Sequence, residues 1–244
     1  MLDNIDLEKI LVLDIETVPQ QPDFHDLPEK FKELWVKKAE TFIRNNENPS
    51  AADAYGRAGI YAEFGKVICI SFGIFVRNPE SESGYKFRIK SIINHDEKIL
   101  LQEFADLLQD KFNRTSNLLC GHNGKEFDFP YLCRRMLVNG IKLPGILNTA
   151  GKKPWEVQHI DTMELWKFGD YKAYTSLELL AAIFDIPTPK DDIDGSMVKD
   201  IYWKLNDLER IQTYCQKDVV TVAQLLLRFK GLPILSDENI IFAA

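Results

Sequence analysis

The stretch LVLDIETVP, Leu11 to Pro19, extends an apolar run that starts at Ile10 and then sets two acids, Asp14 and Glu16, on alternate positions. Four successive apolar residues, Ile10 to Leu13, read as a buried strand. Residues two apart on a strand share a face, so the two carboxylates stand side by side towards its end. Two like charges about 4 Å apart repel by roughly 4 kcal/mol at an effective dielectric of about 20, and something should offset that. Two readings are open. Either the strand simply ends and its acids face water, or a divalent cation sits between them, since hard ions prefer carboxylate oxygens.

Working outward, apolar β-branched runs predict strands over 66–77 (KVICISFGIFVR), 85–93 (YKFRIKSII), 117–121 (NLLCG) and, shorter, 156–160. Helical spacing marks 96–112 (DEKILLQEFADLLQDKF), with two acids at its N-terminus. A capping box, Thr175-x-x-Glu178, opens TSLELLAAIF, and 207–229 forms the longest helix, stopped by Gly231 and Pro233. This alternation implies an α/β fold with a mixed sheet flanked by helices, antiparallel where 66–77 and 85–93 form a hairpin and parallel where helices cross over. Residues 20–64 carry helical patterns without a strand. They are read as a helical insertion within a single domain over 1–235, followed by a loosely ordered tail over 236–244.

The chain has 244 residues, 45% of them hydrophobic, which suffices for a sizeable core. Its 30 basic and 37 acidic side chains leave a net charge of −7, which argues against adhesion to nucleic acid by overall charge but not against a local basic groove or bound cations. Cys69, Cys120, Cys133 and Cys215 form no C-x-x-C pair and suit a reducing compartment. The four histidines share no metal-ligand spacing, so structural zinc is not expected. No signal-peptide pattern and no apolar run near 18 residues is visible, so a soluble cytoplasmic location without membrane contact is expected.

Two further stretches bear acids. In GHNGKEFDFPYL (121–132) the chain leaves a strand, turns at His122, Asn123 and Gly124, and starts a helix near Asp128. Asp128 is either an N-cap or, if its strand lies beside the first, a second acid at the same end of the sheet. In TYCQKDVV, Tyr214 and Asp218 are four apart and share a helix face beside the apolar stripe Ile211, Cys215, Val219 and Val222. Alone, each of these is as readily a surface or capping residue.

Together, the three stretches resemble the DEDD superfamily of 3′-5′ exonucleases, which have a ribonuclease H-like fold. Asp14 and Glu16 match its Asp-x-Glu motif, and Asn123, Phe127 and Asp128 its second motif. Tyr214 preceding Asp218 by four matches the tyrosine form (DEDDy) of the third, with Thr213 where the other form has histidine. EFGKVICISFG, HIDTMELW and KDDIDGS look like standalone enzymes related to the exonuclease domain of family B DNA polymerases. The resemblance implies that Asp14, Glu16, Asp128 and Asp218 hold two divalent ions, Mg²⁺ with Mn²⁺ substituting, and that Tyr214 orients a water. The implied reaction is removal of nucleoside 5′-monophosphates from the 3′ end of single-stranded nucleic acid, DNA favoured over RNA. A polymerase or another replication or repair protein acting in trans is the expected protein partner.

For substrate contacts, Ile15, Asn123, Phe127 and Lys190 are candidates, though Ile15 and Phe127 read first as core. Lys125, Lys152, Lys153 and Trp155 would add charge and an aromatic ring near expected strand paths, although the lysines read first as solvated surface residues. Asp161 reads as a helix cap at Thr162 rather than a ligand, and Asp191, Asp192 and Asp194 as turn and cap residues. Two rivals remain: a binding module of the same fold without chemistry, and a haloacid-dehalogenase-like phosphatase, whose Asp-x-Asp signature Glu16 breaks.

Overall fold

The computed structural model describes residues 2–43, 50–170, 174–188 and 193–243. Six strands, β1 (Ile10–Pro19), β2 (Gly65–Arg77), β3 (Tyr85–Ile93), β4 (Leu118–Gly121), β5 (Ile160–Asp161) and β6 (Ile240–Phe242), form one sheet in the order β5-β4-β1-β2-β3-β6. The β1–β2 and β2–β3 pairs are antiparallel, and the β1–β4, β4–β5 and β3–β6 pairs parallel, which is the mixed α/β sheet expected.

Alternation along β1 distributes its side chains to two layers. Leu11, Leu13 and Ile15 join a core with Leu100 and Phe104 of α2 (Glu97–Lys111) and Leu132 of α3 (Asp128–Val138), after α1 (Glu29–Ile43) in the insertion. Ile10 and Val12 face the other way. They pack with Val219, Val222 and Leu226 of the long helix that ends the helical series, α7 (Leu208–Phe229). Between α3 and α7 come α4 (Thr162–Lys167), α5 (Leu177–Ile183) and α6 (Val198–Asp200), the last running into a wider π turn over Ile201–Leu205. The β1–β2 register slips after Glu16: Glu16 opposes Cys69, but Thr17 opposes Val67. At this bulge both Ile68 and Cys69 pack with Ile211 and Cys215 of α7.

The insertion builds its own small core around Trp35, whose ring meets Tyr55 and Phe64 at centroid distances of 5.5 and 5.2 Å. It is tied to the body where Tyr131 donates to the Gly59 carbonyl at 2.7 Å.

Three expectations are corrected. The strand expected at 156–160 is instead a 3₁₀ turn, Pro154–Glu156, followed by the two-residue β5, because pairing with Cys120 and Gly121 begins only at Ile160. The cap of α5 is Ser176, which accepts from the Leu179 amide at 3.2 Å, rather than Thr175. Residues after Leu235 are no loose tail: Ile240–Phe242 pair with Phe87–Ile89 and extend the sheet as β6. No described helix is long and apolar enough to cross a membrane.

Candidate active site

Asp14 and Glu16 leave β1 on its α7 side. The Cys215 thiol donates to Asp14 Oδ2 at 3.4 Å and reaches the Asp14 carbonyl at 3.5 Å. Ligand atoms of Asp14, Glu16 and Cys215 lie within 4.8 Å of one another. By spacing, Cys215 belongs to the apolar stripe of α7 and carries no expected role. The signal available was its position between Tyr214 and Asp218 on the helix face that packs on β1.

Asp128 arrives from the parallel neighbour. After β4 the chain turns at Asn123, whose φ of 63° lies in the left-handed region that asparagine tolerates. Glycines permit the turn to sit against the sheet: a Cβ on Gly124 would stand 3.2 Å from Gly121 Cα, and one on Gly121 3.4 Å from the Leu13 carbonyl oxygen. Asp128 then opens α3, only 4% exposed, and its Oδ1 accepts the Ile15 amide at 3.1 Å. Asp128 is thereby bonded to the residue lying between Asp14 and Glu16.

Asp218 and Tyr214 come from α7. The Tyr214 hydroxyl hydrogen-bonds to Asp218, and Asp218 acts electrostatically on Asp14, Glu16 and Asp128. Burial first, then Asp128, Glu16 and Asp218, pushes the Asp14 carboxyl well above the usual carboxylate range. Glu16 is pushed the same way by burial, then by Cys69, Asp218 and Asp128. Burial carries Asp128 up to about 7 despite stabilising backbone amides. The Tyr214 phenol is raised by burial and then by Asp218, Glu16 and Asp14, so it keeps its proton at neutral pH. Among the described residues, the groups acting most strongly on Asp14 and Glu16 include no lysine or arginine.

The other candidate residues lie in different surroundings. The Ile15 side chain is buried in the α2 layer, because strand parity sends it away from the acids, and what it contributes at the site is its amide. Phe127 is half-buried against Tyr131 at 5.3 Å. Asn123 lies beside the site with its side-chain oxygen buried and unpartnered. Lys125 is held by Glu164 at 2.6 Å. Lys152 borders Asn117 and Leu118, at the opposite end of β4 from the turn, and Lys153 stacks on Trp155 in the same loop, so neither supplies charge at the acids. Lys190, Asp191 and Asp192 lie outside the described residues. Asp194 caps the Ser196 turn, and the adjacent Gly195 lies within 4 Å of the Tyr214 hydroxyl, measured from where its Cβ would be. His122 is a turn residue bridging Thr162 Oγ1 and the Thr175 carbonyl at 2.9 and 3.0 Å. Burial lowers its pKa and favours the neutral ring.

A mixed sheet of this order flanked by helices is a ribonuclease H-like fold, here carrying a carboxylate cluster where β1, α3 and α7 meet. The chain belongs to the family described as predicted 3′-5′ exonucleases related to the exonuclease domain of PolB, whose model matches residues 60–236. Asp14 and Glu16 precede the matched span. Among solved structures, it is similar to the family B DNA polymerase from the hyperthermophilic archaeon Pyrobaculum calidifontis, with 14% identity and a TM-score of 0.52 over 90% of this chain. The chain spans 24% of that polymerase's length. No curated protein matches it.

Proposed function

We propose that this chain is a divalent-metal-dependent 3′-5′ exonuclease of the tyrosine DEDD type, acting on single-stranded nucleic acid, DNA over RNA, and releasing nucleoside 5′-monophosphates. One observation carries the reading. Asp14, Glu16 and Asp128 feel one another's charge and that of Asp218 from three separate elements, and burial and repulsion resist the ionisation of Asp14, Glu16 and Asp128. Hard oxygen donors in that state fit divalent cations, whose charge would offset the repulsion. The buried, unpartnered oxygen of Asn123 similarly suits a donor brought by an incoming substrate.

Asp14, Glu16, Asp128 and Asp218 would hold two ions, Mg²⁺ or Mn²⁺. When bound, such a pair lowers the pKa of an attacking water towards neutrality and offsets charge on the departing 3′ oxygen. The chain's own residues do the rest. The Ile15 amide fixes the Asp128 carboxylate against β1. The Cys215 thiol fixes Asp14. Tyr214, its proton retained, directs its hydroxyl at Asp218 and can orient a water beside it. The expected partners are 3′ ends of single strands and, in trans, a polymerase or another replication or repair protein.

The test is digestion of matched 5′-labelled single-stranded DNA, RNA and a duplex with a mismatched end, each with Mg²⁺, Mn²⁺ or chelator. The expected result is a metal-dependent ladder shortening from the 3′ end, fastest on DNA. Binding without any metal-dependent shortening would leave the catalytically silent module as the correct description.

A further inference from the structure

We propose that Asp161 is a positioning residue: it clamps the turn over residues 123–125 and thereby sets the Asp128 carboxylate where a divalent ion can use it. The proposal rests on reading the acids as a divalent-ion centre. Asp161 ends β5, paired with Gly121 at the end of β4, and is only 3% exposed. Its Oδ1 accepts the Met163 and Glu164 amides at 3.0 and 3.2 Å, the ordinary bonds of an N-cap to the first turn of α4.

Two further bonds have no place in a cap. The Asn123 amide donates to the same Oδ1 at 3.0 Å, and the Lys125 amide to Oδ2 at 3.0 Å, from a segment 36 to 38 residues earlier in the chain. Four amides thus saturate one buried carboxylate, which explains why it is no metal ligand although it lies close enough to Asp128 to act on its charge. The clamped segment leads directly to the site. Amides of Glu126 and Phe127 reach back to the Asn123 carbonyl at 3.2 and 3.0 Å, and Asp128 follows, bonded to the Ile15 amide. A left-handed turn beginning at Asn123 is held from one side by β1 and from the other by Asp161.

The two duties can be separated. In Asp161→Asn the side-chain oxygen can keep the Oδ1 bonds and hence the α4 cap, while an NH₂ group confronts the Lys125 amide, donor against donor. In Asp161→Ser the hydroxyl remains a good N-cap but is too short to serve the turn as well. Asn139→Ala, which removes one hydrogen bond to Glu97 away from the site, serves as a control for mild destabilisation.

The experiment measures Mn²⁺ binding to the full chain by loss of the free-ion paramagnetic signal, alongside amide hydrogen exchange over 123–128 and far-ultraviolet circular dichroism. Both Asp161 variants should keep the wild-type dichroism, exchange faster over 123–128 and bind Mn²⁺ about tenfold or more weakly, as expected when the support behind a ligand is removed. Asn139→Ala should leave Mn²⁺ binding unchanged. Wild-type exchange over 123–128 in both folded Asp161 variants overturns the clamp. So does faster exchange with wild-type Mn²⁺ affinity. A wild-type chain that binds no Mn²⁺ overturns the divalent-ion reading instead, with the exchange data still deciding whether Asp161 holds the turn.

Discussion

Two groups of buried acids sit against the same sheet and are treated in opposite ways. On the α2 side, Glu97, 8% exposed, is completed by its own chain. Arg135 donates to both its oxygens at 2.9 and 2.6 Å, with the Val67 amide at 2.8 Å and Asn139 at 2.9 Å. Where β1, α3 and α7 meet, Glu16 and Asp128 are as deeply buried, at 9% and 4%, yet after burial Glu16 is pushed up by the Cys69 thiol and then by Asp218 and Asp128, and the charges acting on Asp128 are those of Asp161 and Asp218. Burial of an acid therefore does not itself mark a working site. Among the described residues, a guanidinium meets Glu97, whereas the groups acting most strongly on Asp14 and Glu16 include none.

The sharpest way to break this contrast is to remove an acid from each type of surrounding. Asp14→Asn should lower exonuclease turnover by about a thousandfold or more, since groups acting as a unit fail together. Its melting temperature in chelator should stay equal or rise, because a repelling charge has gone. A matching fall in stability would mean that Asp14 belongs with Glu97 as structure. Arg135→Ala probes the other cluster. Leaving Glu97 buried without its partner should cost about 3–5 kcal/mol in denaturant unfolding, with Mn²⁺ affinity unchanged in whatever fraction remains folded.

Tyr214→Phe sharpens the comparison within the site. The hydroxyl bonds to Asp218, and the four carboxylates survive its loss. Turnover should fall by roughly tenfold to a hundredfold, at or below the low end for a positioned proton donor, with Mn²⁺ binding preserved. Complete loss of activity would assign the hydroxyl more than the orientation of a water.

How far the sequence reveals these arrangements depends on how local their causes are. β1, the β2–β3 hairpin, α2 and α7 follow from periodicity because each buries a continuous face. Spacing puts Asp14 and Glu16 on one strand face and Tyr214 and Asp218 on one helix face, but their reading together with Asp128 as one site comes from the resemblance to the DEDD motifs. β6 is illegible because three residues have no period of their own and become a strand only by pairing with Phe87–Ile89. The double duty of Asp161 is half legible. Its cap is written in the local sequence, whereas its bonds to Asn123 and Lys125 exist only because β4 and β5 end side by side. Whether an acid meets an Arg135 or another acid is settled by packing alone, so the contrast between Glu97 and Glu16 appears only in three dimensions.

That contrast has a smaller, pH-dependent consequence. In the unfolded chain Asp128 ionises near the ordinary value of about 4, whereas in the fold burial holds its proton up to about 7. Between those values the native state binds more protons than the unfolded state, so metal-free stability is fully present below about pH 4 and declines as pH rises towards 7. Asp14 and Glu16, raised in the same direction, add to the decline. In chelator, the melting temperature should therefore fall by a few degrees from pH 5 to pH 7.5, and the fall should be smaller in Asp128→Asn, which cannot titrate at that position. Saturating Mg²⁺ should restore the wild type at pH 7.5 and do little at pH 5, because protonated carboxyls do not bind it. An equal fall in Asp128→Asn would show that residue 128 carries no such proton and would place Asp128 with the acids completed by their own chain.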